Sequence, residues 1–303
     1  MHILFRLPAW ADLLLAASLW GGMYVVSRAT FGAVPPITLG ALRVIIGALA
    51  LIGAQRASGG AMPALSRSDR WRGALLGVLV SATIVTQFMG TALATAHDGA
   101  VLTTATPVFL VLLAWPLLGE RPTPRMLLGV ALAVVGVGAV VLVAAPTGGA
   151  ASAQAPLGDA LLLISALCWA LFTLAGAPMV RRTSALRVAT VATVWSIPCL
   201  VPLAAVELWV THARLTLSWG SVGAVLYLGI GATAIAWSLW YRGVARVSAA
   251  VAAVFFFAQP LVGGLLAWAA LGEPLPTGFA VGAALLTLAV LVVSWAPANG
   301  AKA

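Results

Sequence analysis

Charged positions along this chain are sparse, and the stretches between them are almost wholly apolar. No Asp, Glu, Lys or Arg occurs between Arg72 and Asp98, Asp98 and Glu120, Arg125 and Asp159, Asp159 and Arg181, Arg187 and Glu207, Arg214 and Arg242, Arg246 and Glu273, or Glu273 and Lys302. A helix of about 20 apolar residues crosses a bilayer. These intervals therefore predict spans over 72–93, 99–118, 126–144, 159–180, 188–206, 218–241, 249–270 and 277–296. Two further apolar runs, 10–27 and 37–55, precede them, the second interrupted by Arg43. The reading is ten transmembrane helices. Turn-forming pairs (Pro35–Pro36, Gly59–Gly60, Pro122 with Pro124, Gly148–Gly149, Pro274 with Pro276) all fall between the predicted spans.

Composition narrows the class. Of 303 residues, 62% are hydrophobic and 8% charged, and mean hydropathy is +1.10. Soluble domains carry about 25% charged residues, so a soluble globular domain is excluded and an all-α polytopic membrane protein is expected, with the lipid bilayer as its surroundings. The net charge of +9 does not point to nucleic acid, because the basic residues sit singly or in small groups between apolar runs. With the N-terminus cytoplasmic, all of the 16 basic residues except Arg28, Arg43 and Arg214 fall on the inner side. Both termini are thus expected inside. A cleaved leader is not expected, since the first apolar run continues through Trp20 to Val26. Cys168 and Cys199 lie within apolar runs and read as small buried hydrophobes; no metal site and no cofactor is expected.

An internal repeat carries the organisation. Thr106-Pro107 opens a stretch ending in Leu118-Gly119-Glu120, and Gln259-Pro260 opens one ending in Leu271-Gly272-Glu273. The same offset pairs Gly90 with Gly243 and Gly129 with Gly282, and Asp12 and Asp159 open similar Leu/Ala-rich helices. The halves, 1–148 and 149–303, hold five predicted helices each, and an odd number inverts the second copy. Inverted repeats are the architecture of secondary transporters, which rock two halves about a midplane site.

In these features the chain resembles the drug/metabolite transporter superfamily, EamA type. The resemblance rests on the duplicated proline and Gly-Glu, on Leu19-Trp20-Gly21-Gly22 in the first helix and on Leu42-Arg43-Val44 in the second, and it extends over essentially the whole chain. It implies two inverted five-helix repeats and a transporter of the bacterial inner membrane. The apolar, Trp-rich character is most similar to bacterial aromatic-amino-acid exporters (YddG-like). A functional monomer is expected, since ten helices can enclose a cavity within one chain.

Residue counts at about 1.5 Å per residue put several polar and aromatic side chains near mid-bilayer. Trp20 and Tyr24 share a face of the first helix, and Thr83 and Gln87 a face of the third. Trp20, Trp169, Trp195 and Trp237 are too deep for an interfacial belt, so each is either packed core or cavity wall. Trp10, Trp71, Trp209, Trp219 and Trp295, near span ends, read as interfacial anchors. Pro107 and Pro260 break backbone bonding at mid-depth, as packing kinks or as hinges lining a cavity, with Thr106 and Gln259 beside them as local partners. Arg43 lies about a third of the way in from the outer surface: either it snorkels or bonds helix-end carbonyls, or it meets a substrate carboxylate. His97 and Asp98 form a short outer loop, where Asp98 is either an N-cap or, with His97, a gating or proton site.

The expected substrate-binding set is therefore Trp20, Tyr24, Arg43, Thr83, Gln87, Thr106, Trp169, Trp195, Trp237 and Gln259. An apolar, aromatic lining with one cation suits amino acids with aromatic or apolar side chains, exported by alternating access. The alternative cargo, cationic or lipophilic drugs, wants a midspan carboxylate, and no Asp or Glu lies in the middle of a predicted span. An enzyme is not expected: seven dispersed carboxylates and three scattered histidines form no catalytic motif.

Overall fold

A computed structural model describes residues 8–58, 66–94, 99, 102–142, 154–271 and 278–294. The helices are α1 (Ala9–Thr30), α2 (Pro36–Ala57), α3 (Arg67–Leu93), α4 (Thr106–Leu118, entered through a 3-10 turn at Thr103–Ala105), α5 (Pro124–Leu142), α6 (Ala155–Arg182), α7 (Ala185–Thr211), α8 (Trp219–Val244), α9 (Ala249–Phe255), α10 (Ala258–Leu271) and α11 (Gly278–Ser294). Six of them, α1, α2, α3, α6, α7 and α8, are long and apolar enough to cross a membrane, and α4 and α5 are shorter apolar helices.

Start signals are local in α3, α7 and α8. Ser66, Ser184 and Ser218 each accept a hydrogen bond from the backbone N–H three residues on, and Ser218 with Ser221 completes a capping box. The Ser66 cap carries α3 back to Arg67, so Arg67, Arg70 and Arg72 ride on the helix and not on a loop. The N-terminus of α2 has no such cap. Instead Glu207, from α7, accepts from the backbone N–H of Ile37 (3.0 Å) and Thr38 (2.7 Å) and from the Thr38 hydroxyl (2.8 Å).

Two predicted spans depart from regular α-helix. In the expected helix 99–118 the described residues Gly99 and Leu102 are helical, Thr103–Ala105 tighten into a 3-10 turn and α4 runs on from Thr106, whereas the expected helix 249–270 breaks at Phe256–Phe257 between α9 and α10. Pro107 therefore follows directly on the 3-10 turn, and Pro260 occupies the first turn of a new helix, where a missing N–H costs no hydrogen bond. In α8, residues Tyr227–Ile235 are wound as a π-helix, which nothing in the hydropathy pattern signalled.

The helices are apolar all round, yet only about half of each long span is buried (39–56%). Large apolar side chains such as Leu49, Val78 and Leu112 face outward; soluble proteins rarely expose so much apolar surface. This is the surface of a polytopic membrane protein.

Inside, α1 packs between α8 and α10, α3 between α6 and α7, and α5 against α11. Small residues bring the backbones close. A Cβ added to Gly77 would stand 2.5 Å from the Trp195 backbone carbon and 2.6 Å from its oxygen. G77A is accordingly expected to force α3 and α7 apart and cost about 1–3 kcal/mol. The check is the unfolding midpoint of the purified protein in detergent; an unchanged midpoint would mean the two helices are not in contact there.

Candidate functional site

Where α1, α2, α3, α4, α6, α8 and the α9–α10 break converge, they enclose a cavity of about 30 Å³. That is room for two or three waters, at about 10–15 Å³ each. Nine of the ten expected residues line it: Trp20, Tyr24, Arg43, Thr83, Gln87, Thr106, Trp169, Trp237 and Gln259. The two same-face pairs read from the sequence both point inward.

Trp195 is the exception. It is 37% exposed and packs over Gly73 and Gly77 at the α3–α7 contact. Its expected depth along the helix singled it out, but its azimuth turns it away from the cavity. His97 and Asp98 lie outside the described residues. Met23, Ile84, Thr103, Ser165, Ala166 and Phe256 complete the lining and were not singled out. Ser165 and Thr103 lie nearer the ends of their predicted spans (159–180 and 99–118) than Thr83 does in 72–93, so the depth signal that found Thr83 passed over both.

Arg43 dominates the electrostatics. It is 2% exposed, so it does not snorkel. Its Nε donates to Thr233 Oγ1 (2.7 Å), its NH2 to the Ala232 carbonyl (3.3 Å) and its NH1 to the Met23 sulfur (3.0 Å). The guanidinium also lies 5.7 Å from the Phe88 ring centroid and 5.8 Å from that of Trp237, within cation–π range. A guanidinium has five donors and a thioether is a weak acceptor. Among the described residues no Asp or Glu lines the cavity. A buried charge with neutral partners alone is costly to hold.

The π segment explains how Arg43 is held. It turns the Ala232 carbonyl toward α1 and α2, where it accepts from Trp20 Nε1 (2.9 Å) as well as from Arg43. Thr233 donates back to Leu228 O, five residues earlier (2.8 Å), leaving its oxygen lone pairs to Arg43. Such bulges recur at functional sites. Opposite, a directional chain runs from Gln87 Nε2 to Tyr24 (2.8 Å), from Tyr24 to Thr103 (2.6 Å) and from Thr103 to the Gly99 carbonyl (2.6 Å).

The four deep indoles around the cavity differ in one respect. Trp20 Nε1 donates to Ala232 O and Trp240 Nε1 to Thr173 Oγ1 (3.2 Å). Trp169 and Trp237, 7% and 1% exposed, have N–H groups with no hydrogen-bond partner. Leaving a buried donor unmatched costs about 1–3 kcal/mol.

Beyond the cavity, Asp12 is fully buried at the start of α1 and accepts from both Nε (2.6 Å) and NH2 of Arg242, and from NH1 of Arg246 (3.3 Å). Beside it Leu13 fills a notch at Gly243, where an added Cβ would meet its side chain at 2.5 Å. Leu162 fills the corresponding notch at Gly90, at 2.8 Å. Near that second notch Arg28 donates to the carbonyls of Thr91 (3.2 Å) and Ala92 (2.9 Å). A larger hollow, about 430 Å³, lies between the end of α1 and the start of α8; small and hydroxylic residues such as Ala29, Thr30, Ser218 and Ser221 line it, with no charged group. The smaller central cavity gathers the convergent polar groups expected of a binding site.

The EamA-like transporter family pattern matches residues 9–142 and 156–295. The uncharacterized transporter YetK of Bacillus subtilis (strain 168) is 27% identical over 278 residues, covering 89% of this chain and 81% of the relative. A probable terminal-alkyne amino-acid exporter of Streptantibioticus cattleyicolor is 31% identical over 203 residues, 66% of this chain and 64% of that protein. One crystal structure superposes with a TM-score of 0.79 at 23% identity, covering 96% of this chain and 99% of its own; it bears on the fold alone.

Proposed function

The chain belongs to the EamA-like transporter family, and from that premise we propose that it is a secondary transporter exporting small metabolites, foremost amino acids with aromatic or apolar side chains. Family and relatives are transporters, not enzymes. The cavity between α1–α4 and α6–α10 is the substrate site, and export proceeds by alternating access. In this proposal the halves 1–148 and 149–303 are inverted repeats of five spans each, both termini are cytoplasmic, the bilayer is the bacterial inner membrane, and one chain suffices. Gly90 and Gly243, one in each half, each receive a leucine from the first helix of the other half. That reciprocal contact supports the inverted arrangement.

The observation that carries the cargo reading is Arg43: a buried guanidinium, held by neutral atoms, in a cavity walled by Trp20, Trp169, Trp237 and Phe256. A carboxylate would supply its counter-charge and the rings would pack an apolar side chain. The amino-acid exporter among the relatives points the same way, toward the aromatic-amino-acid branch of the family. Cationic drugs fit less well, because Arg43 repels them and Asp12 is engaged by two arginines. At about 30 Å³ the cavity is contracted, so loading requires the helices to part.

Reconstituted in liposomes, the protein is expected to release preloaded radiolabelled phenylalanine in a saturable, protein-dependent way and to support counterflow. Absence of flux for every amino acid tried would defeat the reading. Flux that never saturates would indicate a channel.

A further inference from the structure

The two unmatched indoles narrow the cargo further. We infer that the N–H groups of Trp169 and Trp237 act with the Arg43 guanidinium as a donor cradle for a free carboxylate, so that the site carries acids and rejects their esters and amides. This rests on the central cavity being the transport site, as proposed above.

The fold provides an acceptor for Trp20 and one for Trp240, but none for Trp169 or Trp237. The two without a partner both line the cavity. They adjoin each other, with ring centroids 5.6 Å apart, and Arg43 lies 5.8 Å from the Trp237 ring. The cavity wall thus brings together a cation and two neighbouring indoles whose N–H groups are uncommitted.

The hydroxyls of the lining are different. Thr83 donates to Leu79 O (2.8 Å), Thr103 to Gly99 O and Ser165 to Thr83 O (3.1 Å), so their protons are committed to backbone. An ionised carboxylate offers about four lone-pair positions and no proton. It matches a guanidinium edge and two indole N–H groups at once, and the charge-assisted bonds are the strong kind. An ester or amide keeps the carbonyl oxygen but brings no charge, leaving Arg43 without a counter-ion. Met23, whose sulfur now takes one Arg43 donor, would yield that donor to the ligand.

The test uses the full chain in liposomes with three competitors of phenylalanine flux that share one ring: 3-phenylpropionate, its methyl ester and its amide. The acid is expected to compete at least roughly 10-fold better than the other two. W169F and W237F keep the ring and remove the donor. Each is expected to raise the half-inhibiting concentration of the acid by roughly 10-fold while leaving that of the amide unchanged; a purely packing role would move both together. Ester and amide competing as well as the acid, or Phe variants that leave the acid unaffected, would overturn the cradle. If phenylalanine does not move at all, the amino-acid reading fails separately. The same three compounds are then scored by thermal stabilisation of the detergent-purified protein, where the acid alone should stabilise. Should W237F fail to insert, W169F and the ligand series decide the matter.

Discussion

R43L is expected to reduce solute flux to the level of protein-free vesicles while the protein still inserts and folds. Arg43 is buried, and its hydrogen-bond partners are a hydroxyl, a carbonyl and a thioether. Burying a cation without a counter-charge is unfavourable for the fold, so removing it should leave the unfolding midpoint unchanged or raise it. The Ala232 carbonyl keeps Trp20 as a donor, and Thr233 remains bonded to Leu228, so the π segment retains its own support. Function and stability should therefore move in different directions, the mark of a charge kept for its ligand. R43K should recover little, because an ammonium cannot reproduce the planar fork. Flux assays beside melting curves check this. An R43L protein that transports at more than half the normal rate would remove Arg43 from the site.

The opposite balance holds at Asp12. D12N is expected to lower stability by about 3 kcal/mol, toward the bottom of the range of about 3–5 kcal/mol for breaking a buried pair from one side. The carboxylate is fully buried and receives two arginines, and neutralising it leaves both guanidiniums facing an amide. Arg242 and Arg246 are 31% and 41% exposed, so water relieves part of the loss, which is why the lower figure applies. By contrast D69N, at the Asp69–Arg182 pair (3.3 Å) whose arginine is 55% exposed, should cost under about 1 kcal/mol. Thermal unfolding of the two variants side by side separates a buried cluster joining α1 to the end of α8 from an ordinary surface pair. Equal shifts would mean that Asp12 is hydrated and the cluster contributes little.

Much of the site was legible before any coordinates. Trp20 with Tyr24, and Thr83 with Gln87, were found because four-residue spacing on a helix keeps two side chains on one face, and because an amide or hydroxyl at mid-depth must find a polar neighbour away from lipid. Thr106 and Gln259 were found through the prolines that follow them. Trp195 satisfied the same depth rule and failed, since depth along a helix says nothing of the direction around it. The Asp12 cluster stayed hidden because Asp12 stood out only as opening a helix, and Arg242 and Arg246 only among the basic residues of the inner side. Each of those readings treats a residue singly, whereas the cluster is a contact across some 230 positions of chain.

Hydropathy by itself determined that this is an apolar, multi-helix membrane protein and roughly where its helices run, because solubility in a bilayer is a property of consecutive residues along one segment. Only the tertiary structure decided which face of each helix turns inward, where α8 widens into a π-helix to hold Arg43, and which indoles are left without an acceptor. The reason is that these helices are apolar on every side. Lipid and protein interior are equally acceptable surroundings for such a surface, so no amphipathic stripe records the choice, and it is made by close small-residue contacts and polar partners far apart in the chain.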